Sequence, residues 1–163
     1  MATYTIAEGQ YETGDARFAI VAARFNHHIV DRLLEGALAT FKRHGVSAER
    51  LEVVRTPGAF ELPLAAQWLG QRDDISAVVT LGCVIRGETP HFDYVCNECA
   101  RGVGETALSL GKPIIFGVVT TNNEVQADER AGGAHGNKGA EAALAALEMV
   151  SLMRATSTSA QKV

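Results

Sequence analysis

No apolar run in this chain approaches the roughly 18 uninterrupted residues of a membrane-spanning helix. Its first residues also lack the charged-then-apolar profile of a secretory signal. Both absences predict a soluble, cytoplasmic protein that does not act in a membrane. Basic residues are not in excess: 15 Lys and Arg stand against 19 Asp and Glu, for a formal net charge of −4. No cationic surface therefore announces nucleic acid. Walker A and dinucleotide glycine patterns are both missing, which argues against a nucleoside triphosphate or a dinucleotide. Cysteine is scarce, with only Cys83, Cys96 and Cys99. Cys96 and Cys99 form a C-x-x-C, but a structural zinc site needs four ligands and no second pair exists. The pair falls inside a predicted helix rather than at a strand–helix junction, so both read as small packing residues and no metal is expected.

What is present is a chain of 163 residues, 47% hydrophobic and 21% charged, enough for one domain with a real core. Four β-type runs, Phe18 to Ala23, Leu51 to Val54, Ala77 to Ile85 and Ile114 to Val119, are each followed by a helix-compatible stretch. That alternation predicts a three-layer α/β/α fold around a four-stranded parallel sheet. The first strand is read as Arg17 to Ala23, with Asn26 capping a helix to about His44 and Gly45 stopping it. The second strand, Leu51 to Thr56, leads through Pro57-Gly58 to a helix over about Ala59 to Gln71. Further helices are expected at about Phe92 to Leu110, around Glu124 to Ala131, and from Ala140 to about Arg154 after a glycine-rich turn, Gly132 to Gly139. Residues 1–15 read as an arm or an edge strand, and residues 155–163 as a frayed tail.

In open parallel sheets ligands bind beyond the carboxyl ends of the strands, so the loops there carry the functional argument. Phe25, just after the first strand, can stack on a flat heterocycle or staple the helix that follows. Thr56-Pro57-Gly58-Ala59-Phe60-Glu61 offers backbone amides at a helix start, with Glu61 able to accept from hydroxyls. It can equally be a plain turn with a carboxylate suited to the helix dipole. In Arg86-Gly87-Glu88-Thr89-Pro90-His91, Gly87 opens the backbone to an anion and Thr89 adds a donor. His91 has a side chain whose titration range suits proton transfer, unless the loop merely caps the helix. Arg130 and Lys138 bracket the glycine-rich turn as phosphate ligands or as solvated surface charges.

Taken in order, Arg24-Phe25-Asn26, Pro57-Gly58-Ala59-Phe60-Glu61, Ile85-Arg86-Gly87-Glu88-Thr89-Pro90-His91-Phe92, Phe116-Gly117-Val118, Glu129-Arg130-Ala131-Gly132 and Gly136-Asn137-Lys138-Gly139 resemble the 6,7-dimethyl-8-ribityllumazine synthase family. The resemblance runs from Arg17 to Arg154. It implies a flavodoxin-like sheet and a cofactor-free condensation of 5-amino-6-(D-ribitylamino)uracil with 3,4-dihydroxy-2-butanone 4-phosphate, the penultimate step of riboflavin biosynthesis. Phe25 would stack on the pyrimidine, Ala59, Phe60 and Glu61 would hold the ribityl chain, and Cys83, Val84 and Ile85 would line the ring edge through their backbone. Glu88 and Thr89 would meet the phosphate substrate by their amides, Arg130 would grip its phosphate with Lys138 in support, and His91 would move protons. Phe116 would reach a neighbouring subunit's site. Two positions depart from the family's habit: Glu88 stands where a small residue is common, and Cys83 where threonine or another small residue is.

The resemblance also implies self-association through pentamers, with the active site between adjacent subunits and the arm pairing with a neighbour's sheet. We expect an icosahedral shell of sixty subunits rather than a free pentamer or decamer, and a riboflavin synthase as a further partner. The competing readings are an archaeal-type riboflavin synthase, a non-catalytic flavin- or lumazine-binding shell, and a flavodoxin-like electron carrier. The phosphate-site pair Thr89 and Arg130 argues against the first, whose reaction has no phosphorylated substrate. His91 and Arg130 together argue against a simple ring binder.

Overall fold

The computed structural model describes residues 3–159. Met1 and Ala2 of the expected arm and residues 160–163 of the expected tail lie outside them. Four strands carry the fold: β1 (Phe18–Ala23), β2 (Leu51–Thr56), β3 (Ala77–Ile85) and β4 (Ile114–Thr121). They pair in parallel in the order β2-β1-β3-β4. The two inner strands, β1 and β3, are almost wholly apolar because both of their faces are covered.

Successive residues of a strand point to opposite faces, and β1 divides accordingly. Phe18, Ile20 and Ala22 pack with Leu33 and Phe41 of α1 (His27–Arg43) and with Ala143, Leu147 and Val150 of α5 (Lys138–Ser159). Ala19, Val21 and Ala23 pack with Leu62, Ala65 and Leu69 of α2 (Leu62–Gly70) and with Cys99 and Val103 of α3 (His91–Leu110). The result is the three-layer, flavodoxin-like arrangement expected of the strand–helix alternation. Cys96 and Cys99 do sit inside α3, the first half-buried and the second fully so. Among the described residues no helix is long and apolar enough to cross a membrane.

Several local features differ from the sequence reading. Ala59–Glu61 is a single 3-10 turn, and α2 proper starts at Leu62 with Pro63 in its first turn, where a missing N–H costs nothing. A short helix, α4 (Glu124–Glu129), ends two residues early and is followed by a small antiparallel hairpin, β5 (Ala131–Gly133) and β6 (Gly136–Asn137), at the glycine-rich turn. The last helix begins at Lys138 because Asn137 caps it: its Oδ1 accepts from the N–H groups of Gly139 (2.8 Å) and Ala140 (3.0 Å). At the other end α5 continues to Ser159, so the expected fraying from residue 155 is not observed there. Thr156 and Ser157 donate their hydroxyls to carbonyls one turn back, at 3.0 and 2.8 Å, and stay helical.

Residues 3–15 form no strand within this chain. From Gly9 onward the arm lies on its own helix α5, where the Gln10 N–H donates to Ser151 Oγ at 3.0 Å. Earlier, Tyr4 and Ile6 are exposed.

Candidate active site

The parallel strands deliver three loops to one edge of the sheet, and a cleft of about 620 Å³ opens between them on the α2–α3 side. Backbone and side-chain hydrogen bonds pin these loops. In the loop after β1, the Arg24 and Phe25 N–H groups donate to the carbonyls of Thr56 and Pro57 at 2.8 and 3.0 Å. These bonds carry the β1–β2 pairing past the end of the sheet. Asn26 then adopts φ 59°, the one positive φ outside glycine among the described residues. Asparagine tolerates this left-handed backbone better than most residues. Asn26 occupies the cap position of α1, but its side chain does not cap the helix as expected. Its Nδ2 donates instead to the Cys83 carbonyl at the end of β3, at 2.9 Å. The ring of Phe25 is thereby held at the cleft, 71% exposed.

The second loop supplies Pro57, Gly58, Ala59, Phe60 and Glu61 to the cleft. The Thr56 hydroxyl donates to the Gly58 carbonyl at 3.0 Å and closes the turn. The third loop contributes Cys83, Val84, Ile85, Gly87, Thr89 and His91. His91 is the first residue of α3, a helix of 20 residues whose dipole favours an anion at this rim. Thr89 Oγ1 accepts from the His91 N–H at 3.4 Å. A Cβ at Gly87 would meet nothing within 4 Å, so the loop backbone lies open to solvent.

Two lining residues escaped the sequence reading, Phe92 and Val95. The signal was present, since both lie within the helical turn after His91 and share its face. They make the cleft chiefly apolar, with Glu61, Thr89, His91 and backbone groups as its polar points. Cys83 is not a nucleophile here: burial first, and then the carboxylates of Glu124 and Asp128, push its thiol up to about 12. The thiol therefore stays protonated near neutral pH.

The remaining expected residues do not line this cleft. Glu88 is exposed on the loop, facing away. Phe116 stands in the middle of edge strand β4, opposite Thr80 in register and 44% exposed. Arg130 ends α4, with its guanidinium donating to the Gln126 carbonyl at 2.9 Å and facing Glu129 at 3.5 Å. Lys138 pairs with Glu141 at 2.8 Å. The segment bearing Arg130 packs through Ala127 and Ala131 into the α1–α5 core layer, whereas the cleft belongs to the α2–α3 layer. A hydrogen bond between His28 Nε2 and Glu124 Oε1 (2.6 Å) and an ion pair between Arg32 and Asp128 (2.7 Å) fasten α4 to α1.

Fold and cleft together define a flavodoxin-like α/β protein with an apolar, ring-sized site at the carboxyl edge of its sheet, rimmed by a histidine and a helix N-terminus. The chain belongs to the 6,7-dimethyl-8-ribityllumazine synthase family, whose model matches residues 15–154. It is 55% identical over 150 residues to the 6,7-dimethyl-8-ribityllumazine synthase of Halorhodospira halophila, covering 91% of this chain and 96% of that protein. The synthase of Aquifex aeolicus is 51% identical over 149 residues, covering 91% of this chain and 97% of its own length.

Proposed function

We propose that this chain condenses 5-amino-6-(D-ribitylamino)uracil with 3,4-dihydroxy-2-butanone 4-phosphate to give 6,7-dimethyl-8-ribityllumazine, releasing phosphate and water. The observation that carries this reading is the cleft. It gathers Phe25, the Ala59–Glu61 turn, the end of β3, Thr89 and His91 around one apolar volume of about 620 Å³. The pyrimidine would lie on Phe25, with its polar edge toward the backbone of Cys83, Val84 and Ile85. The ribityl chain would run along the 3-10 turn, its hydroxyls donating to Glu61.

The phosphate substrate would sit at the start of α3, where the helix dipole favours a dianion. The ring amine attacks the ketone and water leaves to form an imine. Phosphate is then eliminated, and the second amine closes the ring with loss of another water. Each step needs a proton moved rather than an electron, and His91 at the rim is placed to move it. The remaining acceleration would come from holding the two substrates together. No metal or organic cofactor enters this scheme.

Phe116, Arg130 and Lys138 join the scheme only if a second copy brings them. A run of exposed apolar residues supports that: Phe60 of the 3-10 turn, which lines the cleft, is followed at four-residue intervals by Leu64 and Trp68 of α2, and Tyr94 of α3 is exposed as well. Exposed apolar surface of this kind marks an interface. We therefore read the site as one shared between adjacent subunits of a cytoplasmic pentamer-based assembly, closing into a shell, whose product a riboflavin synthase would consume.

The test is a coupled assay on the purified chain given both substrates, following phosphate release and lumazine fluorescence together. Both signals rising in step are expected. Neither signal from folded protein would refute the condensation and favour a lumazine- or flavin-binding role.

A further inference from the structure

Arg86 follows the last residue of β3 and does not line the cleft, yet four contacts converge on it. Its N–H donates to the Thr121 carbonyl at 2.8 Å. Its Nε donates to Asn122 Oδ1 at 3.0 Å. Its guanidinium carbon stands 4.3 Å from the centroid of the Phe92 ring. One terminal nitrogen faces the Asp93 carboxylate at 3.5 Å. Thr121 and Asn122 close β4, whereas Phe92 and Asp93 belong to the first turn of α3, directly after His91.

The segment between has little else to hold it. Gly87 is open, Glu88 is exposed, and the long Thr89–His91 bond is internal to the loop. The Arg86–Asp93 ion pair alone would contribute little, since both partners are about half exposed. The planar guanidinium does what a point charge does not. It lies over a ring that walls the cleft while its edge bonds to a neighbouring loop.

We infer that Arg86 is a positioning residue for the condensation: through Phe92 and Asn122 it sets the first turn of α3, and with it the His91 imidazole, against the ring bound in the cleft. The inference rests on the condensation reading of this site.

Steady-state kcat and KM for both substrates would be measured on the full chain and on R86M, R86K and N122A, with melting temperature and assembly size alongside. R86M should lower kcat roughly 10- to 100-fold, the scale of a small misplacement of a reacting group. KM for either substrate should stay within about threefold, since ground-state binding is not what is lost. R86K should do no better than R86M, because the charge survives and the stacking and Nε bond do not. N122A should lose kcat in the same direction by a smaller factor.

Full restoration by R86K would mean that Arg86 acts as a charge and would overturn the positioning role. So would wild-type kcat in R86M. Should R86M fail to fold, an unchanged kcat in N122A overturns the role instead. A wild-type chain that forms no lumazine defeats the condensation reading and the Arg86 role with it. That outcome is distinct from inactive variants of an active parent.

Discussion

We propose His91, which lines the cleft, as the group that passes protons. Its replacement by alanine should slow turnover by roughly 10²-fold, the common range for a lost general acid–base group. KM should change little, and a kcat equal to wild type would remove His91 from the chemistry. The cysteines give a second residue-level expectation. Burial raises the thiols of Cys83 and Cys99 from an ordinary 9.0 to about 12, so both stay protonated in the native state where the unfolded chain would release them. Below pH 9 the two states carry the same thiol protons, and these groups make stability independent of pH. Between about 9 and 12 the unfolded chain ionises first, so native stability must fall as pH rises. Denaturant midpoints across that window should fall less steeply for a Cys83→Ala, Cys99→Ala double variant. With a thiol reagent, the half-buried Cys96 should react first. At this scale the sequence was readable in position: the glycine loop does bring His91 to the cleft. It misled at Asn26, because cap position and cap bond are separate things. The side chain found a carbonyl on β3 that lies 57 positions away in the chain.

At the scale of elements, glycine lets α1 and the start of α5 lie close together. A Cβ at Gly139 would stand 1.9 Å from the Leu33 carbonyl oxygen, and one at Gly36 would meet the Asn137 side chain at 2.4 Å. Gly139→Ala must therefore push the helices apart and should cost about 3 kcal/mol or more, beyond ordinary overpacking. A denaturant midpoint unchanged from wild type would show that the contact relaxes freely. The same contact explains why the start of α5 was misread. Lys138-Gly139 looks like turn material in isolation, and only the Asn137 cap and the nearness of α1 make it helix. Strand positions were legible because β1 and β3 are buried on both faces and admit few polar residues. Their ends were less so: β4 continues through Thr120 and Thr121, which pair with Val84 and Ile85 although nothing apolar marks them. The polar residues after Arg154 suggested fraying, but serine and threonine hydroxyls bonded back to the helix itself.

At the scale of the whole molecule, a single chain presents a floor and one wall of a site. Phe116, Arg130 and Lys138, which the sequence pattern ties to the same chemistry, lie elsewhere on its surface. Motif order could group these residues, but spacing does not record the spatial separation that leads us to propose a site shared between two copies. Trp68, 62% exposed in the apolar run on α2, offers the test. Trp68→Glu would place a charge in any interface there and should yield smaller particles by mass photometry, with turnover lost in proportion. Particles of wild-type size would move the interface to another face. Single pentamers or decamers from the wild-type chain would remove the shell from the assembly while leaving the shared site intact.

The contact of α1 with α5 also bears on how the chain comes to be folded. β1 is the sheet's second strand in space but its first in synthesis, and its partner β3 begins 59 positions later, Phe18 opposite Ala77. The helix that seals the other side of α1 comprises the last described residues. Leu33 and Phe41 can meet β1 early, as Phe41 does on Phe18, but the cover that α5 gives them comes only once that helix has been made. Long-range closure of this kind is slow relative to local helix formation. Until α5 docks, the folding chain carries an open apolar face, the kind of surface that makes intermediates prone to associate.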